Sequence, residues 1–110
     1  MTEKEITYIE RVILDHCYDA GNIGFRVGYL ATWPEGGCPF SAVAAVRKIS
    51  WLEATEFLGL NGIQLLSFAR GFDRETEDIK VYRDVDFYAM GQRFRTLVKS
   101  GEFRVSSDDH

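Results

Sequence analysis

The sequence is poor in the residues that metal centres, disulfides and chain breaks depend on, with two cysteines, two histidines and two prolines in 110 residues. Its start, "MTEKEIT", lacks the basic-then-apolar layout of a signal peptide, so Cys17 and Cys38 are read as reduced thiols. They are too few for a zinc site, and His16 beside Cys17 on one helix cannot aim at the same point. No metal and no other cofactor is implied. No apolar run approaches the roughly 20 residues that span a bilayer, so no membrane partner is expected. No Pro-, Gly- or Ser-rich linker and no internal repeat divides the chain. The expectation is one soluble, cytoplasmic domain over residues 1–105, followed by a flexible tail at 106–110.

Positive charge is also scarce. Thirteen Lys and Arg against seventeen Asp and Glu leave a net charge of −4, which disfavours simple attraction to phosphates. The deficit is uneven: residues 1–46 hold three basic and six acidic side chains, and residues 47–99 hold nine and eight.

What is present is core-forming material, 45% hydrophobic and 14% aromatic, enough to argue against disorder. Thr2 and Glu5 have capping-box spacing, and Ile6, Ile9, Ile13 and Cys17 recur at helical intervals, with Tyr8 and Val12 widening the stripe. This predicts a helix over about 3–18, ended by Gly21 and Asn22. From Ile23 to Trp33 the period becomes two, with Phe25, Val27, Tyr29 and Ala31 between them, which predicts one long strand. "PEGG", Pro34–Gly37, reads as its closing turn, and residues 79–82, 102–105 or a second subunit are candidate partners. Pro39 opens a helix over about 39–49, and Ser50 with Glu53 caps another at 51–58 that Gly59 stops. "GIQLLSF" is a helix if Asn61 caps it and a strand otherwise. A charged hairpin, "FDRETEDIKVY", comes next. Asp84 or Asp86 then caps a last helix with Phe87, Met90, Phe94, Leu97 and Val98 inward.

Residues 50–97 resemble the winged helix-turn-helix domains of phage excisionases, small terminase subunits and mercury-resistance-type regulators. The likeness lies in "EATEFLGL" with Ala54, Leu58, Gly59 and Leu60, in Leu65 and Phe68, in "ARGF" as the exit from the second helix, and in "KVYRDVDF". It implies an α+β, mostly helical fold, with a winged helix-turn-helix part packed on an N-terminal helix and a long strand. It also implies a second helix in the major groove and a dimer, since one such domain reads a half-site. The base-reading positions carry over to Asn61, Gly62, Ile63, Leu66, Ser67 and Arg70. Of these Asn61, Ser67 and Arg70 have chemistry that fits base edges, with Gln64 beside them. Arg74, Lys80 and Arg83 are candidates for phosphate contact, as are Arg47, Lys48, Arg93, Arg95 and Lys99. Ile63 and Leu66 are greasy for a DNA-reading face.

Catalysis finds no footing. Cys38 stands at a helix start, but a nucleophilic dyad needs a base, and neither His16 nor His110 has an obvious route to it. "GGCPFS" lacks the lysine and glycine spacing of a phosphate loop. No carboxylate pair sits in an apolar setting, and no small-molecule ligand is implied. Two functions are therefore expected. One is a small DNA-binding regulator or accessory factor of a phage or other mobile element. The other is a non-enzymatic protein-binding module or inhibitor, in the manner of anti-restriction or anti-CRISPR proteins, that docks its partner through Ile63 and Leu66.

Overall fold

The computed structural model describes residues 1–28, 36–73 and 84–103. Helix α1, Glu3–Asn22, starts on the expected box: the Glu5 amide donates to Thr2 Oγ1 at 3.2 Å, and the Thr2 amide donates to Glu5 Oε1 at 3.0 Å. Ile9, Ile13, Cys17 and Ala20 face inward and Val12 is half-buried, whereas Tyr8 is 70% exposed and does not widen the stripe. The helix also outruns Gly21, because the left-handed residue is Gly24, at φ +84°.

The strand starts later than the alternation predicts. Ile23 caps α1 and is 61% exposed, and β1 is Arg26–Val27 alone. Its partner is β2, Gly36–Gly37, within the segment read as a turn, and the two run parallel with Arg26 opposite Gly36. An apolar residue that terminates a helix mimics the first step of a strand. The remainder of the expected strand, Tyr29 to Trp33, lies outside the described residues, as do the charged hairpin at 74–83 and the tail at 106–110.

Helix α2, Pro39–Arg47, ends two residues early because Lys48 turns left-handed at φ 57°. Helix α3, Trp51–Leu58, carries the second capping box, both bonds 3.1 Å, and stops at Gly59, φ 70°. Residues 59–61 then join it to α4, Gly62–Asp73, which settles this segment as helix. "ARGF" lies within α4 rather than after it. Asp84 caps α5, Val85–Lys99, accepting from the Phe87 amide at 3.1 Å. The expected stripe of α5 is inward, with Phe87, Met90 and Phe94 buried and Leu97 and Val98 half-buried.

Helix α3 packs on α2, which packs on α1, whereas α4 packs on α5. The α4–α5 contact is backbone against backbone. A Cβ on Gly71 would stand 2.1 Å from the Tyr88 carbonyl oxygen, and one on Gly91 2.2 Å from that of Phe68. Ser67 Oγ accepts from the Asp84 amide at 2.6 Å, and Arg95 Nη1 donates to the Phe72 carbonyl at 2.9 Å. The closest approach of α4 and α5 thus lies at Gly71 and Gly91, where the two helices cross. Arg95 also places positive charge at the carbonyl end of α4, where the helix dipole favours it.

A chain of rings joins the two halves. Tyr18 meets Phe103 at 5.3 Å between centroids, Phe103 meets Phe94 at 6.4 Å, Phe94 meets Phe68 at 5.4 Å, Phe68 meets Phe40 at 4.6 Å, and Phe40 meets Trp51 at 6.1 Å. Outside it, Arg93 grips Glu10 through two hydrogen bonds of 2.7 and 2.8 Å, and the Tyr18 hydroxyl donates to Glu102.

Candidate interaction surface on helix α4

Helix α4 has two unlike faces because its inward positions are used up by the fold. Gln64, Ser67, Phe68, Gly71 and Phe72 are buried against the rest of the chain. Gly62, Ile63, Leu66 and Asp73 are exposed, with Arg70 half-buried in the same row. The spacing of three, four and three residues from Ile63 to Asp73 makes that row a single stripe along the helix.

Gln64 and Ser67, expected beside bases, are turned inward. Gln64 closes a third capping box with Asn61: the Gln64 amide donates to Asn61 Oδ1, the Asn61 amide donates to Gln64 Oε1, both at 2.9 Å. Its amide nitrogen also lies 4.0 Å from the Met1 sulfur. Ser67 is 1% exposed, its hydroxyl occupied by the Asp84 amide. Asn61 is at the surface, but its side-chain oxygen is committed to starting α4. A polar group that satisfies a buried or orphan backbone amide has a structural task that base contact would interrupt.

The first turn of the outward row is carbon. Ile63 is 48% and Leu66 49% exposed, one turn apart. Around them Asn61 and Gly62 are uncharged, and Arg70 and Asp73 bring one charge of each sign. Arg74, Lys80 and Arg83 lie outside the described residues. Of the remaining phosphate candidates, Arg93 is held by Glu10, which raises its pKa further, and Arg95 by the Phe72 carbonyl. Arg47 stacks over the Phe57 ring, 3.8 Å from its centroid, next to exposed Lys48, and Lys99 is exposed at the end of α5.

A second apolar surface escaped the sequence reading. Met1, Tyr8, Ile9, Leu58 and Gly59, together with Lys4 and Glu5, line a shallow groove between the start of α1 and the end of α3. Its signal was Tyr8, whose position one turn before Val12 suits either the core or its rim.

Cys17 is fully buried, and burial pushes its thiol well up. Cys38 stands before α2 with its sulfur 3.4 Å from Ser41 Oγ, and His16 Nδ1 lies 2.7 Å from the Val12 carbonyl. Among the described residues no three His, Cys, Asp or Glu side chains gather as metal ligands, and no helix is long and apolar enough to cross a membrane. No protein-family model, no curated protein and no solved structure matches this chain.

Proposed function

We propose that this chain is a non-enzymatic protein-binding module whose docking surface is the outer face of α4. One observation carries this reading: Ile63 and Leu66 stand half-exposed and adjacent, while Gln64 and Ser67 of the same helix are engaged by the fold. An apolar stripe on a helix gains free energy by leaving water, and large aliphatics surrounded by uncharged positions suit a protein surface. They suit base edges poorly, since direct readout runs on hydrogen bonds. The net charge of −4 points the same way.

The DNA reading stands second. Its support is the order helix, three-residue turn, helix across 51–73, with left-handed Gly59 in the turn. Both readings are tested by comparing proteins that co-purify from the source organism with the wild-type chain and with Leu66→Asp, alongside recovery of genomic DNA fragments at two salt concentrations. A partner lost in Leu66→Asp at unchanged melting temperature supports docking. A fall in melting temperature instead makes Leu66 part of the core. Enrichment of one DNA site, weakened by salt and by Arg70→Ala, replaces docking with DNA reading.

A further inference from the structure

We propose that Cys17 and Cys38 form a reversible redox pair: hydrogen peroxide oxidises Cys38, and Cys17 then closes a disulfide that ties α1 to the start of α2. The inference does not depend on the docking role of α4. Both residues are free thiols, and they differ in access: Cys17 is fully buried and Cys38 is half-buried.

Three observations place the two sulfurs together. Helix α1 packs on α2, and both cysteines belong to one apolar core, Cys17 on the inward stripe of α1 and Cys38 against the edge of the cluster as the cap of α2. Phe25 also joins the end of α1 to the start of α2. Its amide donates to the carbonyl of Ala20, one turn after Cys17, at 2.9 Å. The tip of its ring would lie 3.5 Å from a Cβ on Gly37, the residue before Cys38, and the Gly28 amide holds the Gly37 carbonyl at 2.9 Å. Finally, the Cys17 thiol is pushed well up first by burial and then by Cys38, an influence that solvent would screen at long separation.

Roles follow from access. Oxidant reaches Cys38 first, since the core covers Cys17. The Cys38 sulfur attacks one peroxide oxygen, the O–O bond breaks, and Cys38 becomes a sulfenic acid as one water leaves. The Cys17 sulfur then attacks the sulfenic sulfur. The S–S bond forms, the S–O bond breaks, and the hydroxide leaves as a second water with the Cys17 proton. Two thiols lose two electrons and the peroxide gains them. A dithiol reverses the bridge by exchange. The bridge closes a loop that holds β1 and β2, which constrains the unfolded chain, so the oxidised form should melt higher by about 5 °C or more.

Hydrogen peroxide added to the purified, reduced full chain under native conditions tests the proposal, read by intact mass and by peptide mapping after thiol alkylation. The expected product is a monomer lighter by two hydrogens, with the Cys17 and Cys38 peptides linked, restored by dithiothreitol. Cys38→Ser should leave Cys17 a free thiol at peroxide concentrations that bridge the wild type. Cys17→Ser should drive Cys38 on to acids that dithiothreitol does not reduce. Because Cys17 lies in the core, Cys38→Ser carries the test if Cys17→Ser fails to fold. Cys38 oxidised while Cys17 still alkylates after unfolding, bridges only between chains, bridging only in denaturant, or no oxidation of either thiol overturns the proposal.

Discussion

Replacing Gly91 by alanine should damage this fold more than its single methyl suggests. The new Cβ would lie 2.2 Å from the Phe68 carbonyl oxygen and 2.9 Å from the Phe72 amide nitrogen, where ordinary contact begins at 3.4 Å. Neither neighbour is a side-chain end that can swing away. The helices must therefore part by roughly 1 Å, and a gap of that size forfeits up to about half of each dispersion contact across it. The contacts at stake belong to Phe68, Phe72, Phe87 and Phe94, all at most 1% exposed. Overpacking of this kind costs about 1–3 kcal/mol, and the opened gap adds to it, while alanine returns about 1 kcal/mol of helix propensity. A net loss of about 2–4 kcal/mol follows, a large share of the 5–15 kcal/mol typical of a small domain. In urea, with a slope of about 2 kcal/mol per molar, the midpoint should fall by about 1–2 M. Gly62→Ala is the control: it meets open space and should raise stability by up to about 1 kcal/mol. Gly91→Ala as stable as the wild type would show that α4 and α5 do not touch through their backbones.

Other consequences are smaller. Asn61→Ala should cost about 1 kcal/mol in thermal melts by opening the third capping box, whether or not DNA is bound. Ser67→Ala should cost about 1–2 kcal/mol, because the Asp84 amide loses its acceptor; an unchanged melting temperature would mean that water replaces the hydroxyl. The Glu5 and Glu53 carboxylates are held below their ordinary range by the backbone amides of Thr2 and Ser50, and then by the hydroxyls of the same residues. With folded pKa values lowered, their contribution is present above the ordinary carboxylate range and lost as pH falls through the lowered values. Melting temperature should accordingly drop more steeply from about pH 5 to about pH 3 in the wild type than in Glu53→Gln.

Helix starts were the most legible part of this sequence, because capping is local chemistry. Thr2 with Glu5, Ser50 with Glu53, and Asp84 announce their helices within four residues, and Gly59 announces a stop. Asn61 with Gln64 has the same spacing, and reading it as a box would have assigned Gln64 to the helix start instead of to a base. Helix ends were less legible where a non-glycine residue, Lys48, takes the left-handed turn at the cost of strain. Alternation from Ile23 onward misplaced the start of the strand, since exposed Ile23 belongs to the cap of α1. Ser67 could not be assigned a face from sequence alone, because a serine suits both a buried hydrogen bond and a groove-facing contact. Gly71 and Gly91 gave a signal that only tertiary structure explains: glycines inside apolar helical stripes mark the place where another backbone comes close. The outward pair, Ile63 and Leu66, was visible in the sequence as an excess of carbon on a face expected to be polar.

The ring chain from Tyr18 to Trp51 has a consequence for how the molecule comes apart. Contacts such as α4 on α5 join segments some twenty residues apart, whereas Tyr18 and Phe103 meet across nearly the whole chain. A small protein built of local helix pairs invites piecemeal opening, one pair fraying while the other persists. Here each helix lends at least one ring to, or borders on, the same series, so no pair can leave without uncovering an aromatic face on which its neighbour rests. The rings thus act as a latch shared by both halves, binding local pieces into one cooperative unit.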